Sequence, residues 1–148
     1  MARAANGFSL LELMVVLALM VLIMGLVLPG LRRSWEKEKT RGSLRELAAT
    51  LRAARSTAAT ERQRIRVFFD LQAGRYWVEN IPRQGSWPPR LQVGDAHLVW
   101  QNPEARQGYI AFYGDGSSSG GRLELFDPDG QHYRLDVKVI TGRVRFDS

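Results

Sequence analysis

Glu12 is the residue whose position most clearly indicates a functional role, because it is the single charged side chain between Phe8 and Leu28. That run is otherwise almost wholly apolar, and as a helix it is long enough to cross a hydrocarbon layer about 30 Å thick. A carboxylate buried in lipid costs about 2.5–3.5 kcal/mol on insertion scales, and an opposite charge in the same medium offsets that cost. We therefore predict that Glu12 either pairs with a cation or snorkels to the membrane surface.

Arginines and aromatic residues form the second set of candidates. Arg143 and Arg145 alternate with Val144 and Phe146, so on a strand both arginines share one face, which is either a solvated surface or an anion-binding strip. The net charge of +6 and the pI near 10.3 suit an anionic partner such as nucleic acid or lipid headgroups. Six aromatic residues could stack on a ligand or line a groove, although cross-strand and core packing is the more common role: Tyr76, Trp77, Trp87, Trp100, Tyr109 and Tyr113.

Other kinds of site have little support in the residues. The chain has no cysteine and two histidines, which excludes thiolate chemistry and disulfides and leaves few ligands for zinc. Asp115, Asp127 and Asp129 fall short of the oxygen ligands that calcium takes, and turn chemistry explains them. The loop Gly114–Gly121 lacks the Lys and Ser/Thr that end a phosphate-binding loop, so we interpret it as a mobile or partner-contacting loop. We expect no catalytic residue, no metal and no cofactor.

The elements that position these residues follow from periodicity. Pro29-Gly30 predicts a kink or local unwinding of the apolar helix. Apolar residues then recur at three and four positions from Leu44 to Ala58, which predicts an amphipathic helix that lies on a globular domain.

Beyond Glu61 the pattern changes to short runs typical of strands, and the proline-rich stretch 81–89 is predicted to be a loop. Turns are predicted at 72–74, 127–130 and 140–142. The expected strands are Ile65–Phe69, Tyr76–Val78, His97–Trp100, Tyr109–Tyr113, Arg122–Phe126, Tyr133–Val139 and Gly142–Phe146. The expected fold is therefore α+β, with a long N-terminal helix packed on antiparallel sheets.

The N-terminus resembles the class III signal of type IV pilins and type II secretion pseudopilins. The shared features are a short basic leader that ends in Gly7, then Phe8, then Glu12 as the fifth residue of the mature chain, with Pro29 where many pilins bend. The resemblance implies cleavage between Gly7 and Phe8 by the prepilin peptidase and methylation of the new amine. It also implies that Glu12 directs assembly by pairing with the N-terminus of a neighbouring subunit. A secretory signal peptide fits poorly, because the apolar run is too long and no A-x-A-like site follows it.

The C-terminal half is similar to the group that joins minor pseudopilin H, GspH, with the FimT minor pilins. The similarity lies in the segment 110–125 and the closing Thr141-Gly142-Arg143-Val144 turn, although Gly114 stands where a proline is expected. It implies a minor pseudopilin of a type II secretion system, at or near the tip of the periplasmic pseudopilus. The alternative is a FimT-like minor type IV pilin that binds DNA through Arg143 and Arg145 during natural transformation.

The resemblance also implies the layout and the partners of the chain. We expect a leader at 1–7, a transmembrane and assembly helix at 8–31, an amphipathic periplasmic helix at 32–62 and a β-rich domain at 63–148. The chain should cross the inner membrane once with its C-terminal domain in the periplasm, whereas a count of positive charges favours the opposite orientation. Its expected partners are other minor and major pseudopilins, the prepilin peptidase, exported proteins and, in the alternative alone, DNA.

Overall fold

The computed structural model describes residues 9–147, and at 26–34 it describes the backbone alone. The chain divides into two compact units, Met1–Lys39 and Thr40–Ser148. One helix and nine strands follow in order: α1 Leu10–Glu61, β1 Ile65–Asp70, β2 Arg75–Val78, β3 Gln84–Ser86, β4 Gln92–His97, β5 Val99–Asn102, β6 Gln107–Phe112, β7 Gly121–Phe126, β8 His132–Val137 and β9 Val144–Asp147. The fold is α+β with antiparallel sheets, as predicted.

The first part of α1 exposes its apolar side chains. From Leu10 to Met24 the large hydrophobic residues are between 39% and 79% exposed. Among the residues that the structure describes, no helix combines the length and apolar character required of a membrane span. The helix runs through Pro29 and Gly30 without interruption, so no unwinding is present there, and the kink stays a prediction.

The second part of α1 is amphipathic, as its three- and four-residue spacing predicts. Six of its side chains are at most 2% exposed, and they pack in one cluster with side chains from both sheets: Leu44, Leu47, Ala48, Leu51, Ala54 and Ala58. Burying each leucine contributes about 1.5–3 kcal/mol relative to leaving it exposed. The helix ends in a left-handed turn at Arg62, whose φ is 51°, and the Gln63 amide donates a 3.2 Å hydrogen bond to the Ala58 carbonyl.

The five-stranded sheet has the order β3-β2-β1-β6-β5, with every pair antiparallel. Its inner face carries Ile65, Val67 and Phe69 of β1, which are all at most 5% exposed and belong to the same core as the buried residues of α1. The four-stranded sheet has the order β4-β7-β8-β9 and contributes Leu123, Leu125 and further residues of β8 and β9 to that core. The core of this unit therefore lies between the helix and the two sheets.

The chain passes between the sheets at three places, the first of them in residues 87–91 between β3 and β4. β4 belongs to the four-stranded sheet and β5 to the five-stranded one, so the change occurs at Leu98. After β6, the chain turns back and pairs with that strand, since the Ser119 amide donates to the Ala111 carbonyl at 2.8 Å. It then enters β7 of the other sheet.

Two strand predictions are wrong. The run His97–Trp100 is not one strand, because the change of sheet at Leu98 divides it between β4 and β5. The stretch 81–89 is not only a loop, because β3 lies between its prolines at Gln84–Ser86 and pairs with β2. Gly85 makes this pairing possible, because a Cβ there would lie 2.3 Å from the Tyr76 hydroxyl. The three predicted turns connect β1 to β2, β7 to β8 and β8 to β9, as expected.

Candidate functional site

Glu12 lies in the first turn of α1 and is exposed. The helix begins after Ser9, whose hydroxyl accepts a 3.4 Å hydrogen bond from the Glu12 amide, and the Leu13 amide donates to the Ser9 carbonyl at 3.1 Å. Ser9 is therefore the N-cap, and Glu12 occupies the third helical position, where an acidic side chain also complements the helix dipole. The Ser-x-x-Glu spacing is the sequence signal for this helix start, although none of the predictions above rests on it.

Large apolar side chains are exposed along the helix around Glu12. Thirteen large hydrophobic side chains between Leu10 and Met24 are exposed. A helix that is apolar on every side is typical of one that packs against apolar surroundings. A surface of this kind is not stable in water unless it is covered. Gly7 and Phe8, the predicted processing site, lie outside the described residues.

Arg145 lies in β9, an edge strand of the four-stranded sheet, and Arg143 directly precedes that strand. Both are exposed, while Val144 between them is 7% exposed. Arg145 is paired in register with Asp136 of β8, and Asp147 with Arg134. Acidic residues are thus interleaved with the arginines on this face, which weakens its attraction for phosphate groups.

The acidic turn residues serve the turns themselves. The Asp115 carboxylate accepts hydrogen bonds from the amide and the hydroxyl of Ser117, at 2.9 and 2.6 Å, and these bonds lower the pKa of Asp115. Asp127 accepts a 2.7 Å bond from the guanidinium of Arg90 and a 3.2 Å bond from the Asp129 amide. Over the residues described, no three His, Cys, Asp or Glu side chains are grouped as metal ligands.

The loop Gly114–Gly121 is fixed by its serines. Ser118 is 3% exposed, and its amide and hydroxyl donate to the carbonyls of Val139 and Lys138, at 2.8 and 2.9 Å. Gly114 packs against the end of α1, since a Cβ there would lie 2.7 Å from the Arg62 carbonyl carbon. This contact explains the glycine at a position where a proline was expected, and the hydrogen bonds favour a structural role over mobility.

The family models match both parts of the chain. The model described as "Type II transport protein GspH" matches residues 43–142, and the model of the prokaryotic N-terminal methylation motif matches residues 2–28. The chain is 34% identical over 143 residues to type II secretion system protein H of Xanthomonas campestris pv. campestris, a match that covers 97% of this chain and 83% of that protein.

Solved structures share the fold. The minor pseudopilin EpsH of the Vibrio cholerae type 2 secretion system aligns with a TM-score of 0.57 and 16% identity, over 74% of this chain and 97% of that one. The type IV minor pilin FimU of Pseudomonas aeruginosa aligns with a TM-score of 0.55 and 16% identity, over 76% of this chain and 91% of that one. At this identity the likeness is one of fold.

Proposed function

The chain belongs to the GspH family and is a minor pseudopilin of type II secretion, and on that premise we propose that it sits at or near the tip of the periplasmic pseudopilus. The observation that supports assembly into a filament is the exposed apolar helix from Leu10 to Met24, with Glu12 in its first turn. Such a helix is stable in the membrane before assembly and among the helices of other subunits after it. The chain acts as a structural subunit, and its partners are other minor and major pseudopilins and the exported proteins that the filament moves.

Deletion of the gene tests this function. Proteins exported by type II secretion should accumulate in the periplasm of the deletion strain, and the full chain supplied in trans should restore their release into the medium. The release of proteins that use other export routes is the control. Normal type II secretion in the deletion strain, accompanied by loss of pili or of DNA uptake, would contradict this function and indicate that the chain belongs to a pilus system.

Processing at Gly7-Phe8 is part of the proposal. The match to the methylation motif over residues 2–28 supports it. The prepilin peptidase would remove residues 1–7 and leave a methylated amine on Phe8, whose positive charge Glu12 can neutralise in a medium of low dielectric constant. Intact-mass measurement of the chain extracted from membranes should give the mass from Phe8 to Ser148 plus one methyl group. A chain that retains Met1–Gly7 in a strain with active peptidase contradicts it.

DNA binding is the second candidate function, and the exposure of both Arg143 and Arg145 is the observation in its favour. If this face binds DNA, changing both arginines to Ala should weaken binding of duplex DNA by the full chain and reduce its salt dependence by about one unit of slope per lost phosphate contact. Charge-matched controls are the exposed Arg52 and Arg83. Because Asp136 is paired with Arg145 and Asp147 follows on the same strand, we expect the double variant and the controls to bind alike.

A further inference from the structure

Among the described strands, β3, β5, β4 and β9 form the edges of the two sheets, and the first three have features that hinder pairing with another chain. β3 is three residues long and lies between Pro82 and Pro88. β4 and β5 each pair with their neighbour through a shift of register. Short strands, prolines and bulges protect an edge from the addition of a further strand. β9 has none of these features, because it pairs with β8 in an unbroken register.

The register also shows which backbone groups of β9 point away from β8. Just before the strand, the Lys138 amide donates a 3.0 Å hydrogen bond to the Arg143 carbonyl. Bonded residues alternate along an antiparallel ladder, so Arg145 and Asp147 likewise direct their N–H and C=O groups towards β8. The N–H and C=O groups of Phe146, which lies between them, therefore point to the open side of the strand.

The side chains of β9 alternate between the two faces of the sheet. Arg145 and Asp147 are exposed on one face. Phe146 is half-buried on the other face, where it packs against the core and its ring lies parallel to that of Tyr133, with the centroids 6.3 Å apart. The open edge thus carries a cation and an anion on either side of an aromatic residue whose backbone groups point outward.

A second copy of β9 fits this edge in one register. Antiparallel pairing about a twofold axis can place Phe146 opposite Phe146 of the second copy, so that their outward N–H and C=O groups bond to each other. Arg145 then lies opposite Asp147 of the second copy, and Asp147 opposite its Arg145, with Cβ atoms about 4.5–5.5 Å apart.

The neighbouring registers are excluded by charge. A shift of two residues in one direction places Arg145 opposite Arg145 of the second copy, and a further shift places Arg143 opposite Arg145. A shift of two residues in the other direction places Asp147 opposite Asp147. Like charges directly opposite each other destabilise a pair of strands, so only the register centred on Phe146 has opposite charges alone.

We propose that the chain binds a second copy of itself through β9, so that two four-stranded sheets form one antiparallel sheet of eight strands. The self-complementary order of Arg145, Phe146 and Asp147 on an unprotected edge selects this occupant. An edge of four residues buries less area than the roughly 1,200–2,000 Å² of a stable interface, so the pairing is weak in dilute solution and stronger where chains are concentrated in a membrane. This pairing does not depend on the position of the chain in the pseudopilus.

Cysteine crosslinking of the full chain in membranes tests the register, because the chain has no cysteine of its own. Copies with Arg145→Cys and copies with Asp147→Cys carry different tags and are expressed together, and a mild oxidant is added. We expect a disulfide-linked pair that contains both tags, at about tenfold the yield from either variant alone, because opposite residues lie within reach of a disulfide and diagonal ones are about 7–8 Å apart.

The matched control is Gln84→Cys expressed with Ser86→Cys. These residues are exposed and two positions apart on the edge strand β3, which is the same arrangement as that of Arg145 and Asp147 on β9. Equal yields from the two strands, or adducts of the β9 variants only with other proteins, would overturn the proposal.

Exchange of charges supplies the second test. Asp147→Arg should abolish pairing of the variant with itself, because arginines then lie opposite each other, and Arg145→Asp should do the same with two aspartates. The two variants should pair with each other, since every Arg then lies opposite an Asp. Co-purification of two differently tagged full-length copies from detergent-solubilised membranes measures each combination.

Recovery of pairing in the mixed combination shows that neither variant has unfolded. Association through the apolar helix would be the same in every combination, and that result would overturn the assignment of the contact to β9.

Discussion

At the scale of single residues, Glu12 combines a local role with a proposed assembly role. Its amide donates to the Ser9 hydroxyl at 3.4 Å, which sets where α1 begins. Its exposed carboxylate is left to interact with groups outside the chain. The sequence predicted the second role from the cost of a charge among apolar residues, and the first was readable from the Ser-x-x-Glu spacing.

Glu12→Leu separates the two roles. The hydrogen bond from the backbone amide of residue 12 to the Ser9 hydroxyl persists in this variant, so the helix should form. The chain should also enter the membrane at least as well as before, because an apolar residue replaces a charged one. Incorporation into the pseudopilus should nevertheless be lost, and the release of exported proteins should fall accordingly. Ser9→Ala is the control for the cap, since it weakens the helix start by about 1 kcal/mol and keeps the carboxylate. Normal secretion by Glu12→Leu at native expression would contradict an assembly role.

Asp70 is a buried carboxylate that the sequence did not single out, because its three partners come together only in the folded sheet. It is 5% exposed, and its pKa is lowered from 3.8 chiefly by the hydrogen bond from the Ala73 amide, with further bonds from Gln107 and Arg75. A carboxyl group with a lowered pKa stabilises the fold above about pH 4, and this contribution is lost as the pH falls through the lowered value.

Asp70→Asn should therefore reduce the free energy of unfolding by about 1–3 kcal/mol at pH 7, because an amide cannot accept the same set of bonds. The difference between the variant and the unmodified chain should shrink as the pH falls below about 4. Urea denaturation of the full chain in detergent, at several pH values, measures both effects. Glu104→Gln, at an exposed turn position, should change neither. A difference that stays constant down to pH 2 would contradict the lowered pKa.

At the scale of elements, periodicity predicted the helices and turns that depend on residues close to one another in the sequence. The buried stripe from Leu44 to Ala58 and three hairpin turns follow from local spacing and turn residues, and all are confirmed. The strand β3 and the division of 97–100 between two sheets depend on long-range pairing. No local pattern shows that Gly85 faces Tyr76, or that the chain changes sheet at Leu98.

The closing turn illustrates a long-range constraint on one element. Gly142 has a φ of 57°, and a Cβ there would lie 2.7 Å from the Gly116 carbonyl and 3.0 Å from Nε of Arg55. The helix, the loop 114–121 and the β8–β9 turn therefore meet at one position. The sequence identified a turn here but gave no sign of these contacts.

Gly142→Ala should lower the free energy of unfolding by about 2–4 kcal/mol, because it adds a steric conflict to an unfavourable backbone angle. Gly130→Ala is the matched control, since its φ is 80° and no atom lies within 4 Å of the added carbon. That control should lose only about 1–2 kcal/mol from the backbone angle. Urea denaturation of both full-length variants makes the comparison, and equal losses would show that the contacts with Gly116 and Arg55 do not matter.

At the scale of the whole molecule, two features of the sequence predict opposite orientations of the chain in the membrane: its resemblance to pilins and its positive charges. Arg32, Arg33, Lys37 and Lys39 follow the apolar run and favour a cytoplasmic C-terminus, whereas a pseudopilin has a periplasmic one. We expect a reporter active only in the periplasm to be active when fused after Ser148. The same fusion with a reporter active only in the cytoplasm should be inactive, and the reverse pattern would contradict the proposed topology.

The three passages of the chain between the sheets, in residues 87–91, at Leu98 and after Ser119, have a consequence for how the unit unfolds. Neither sheet can separate from the other without pulling out strands of both, so the sheets should melt together in one cooperative transition rather than in two steps. The central strand β1 pairs with β6, about forty residues later in the chain, so the five-stranded sheet cannot close until that segment has emerged. One edge of β1 therefore stays unpaired until β6 is available, which makes folding slower than the small size of the unit suggests.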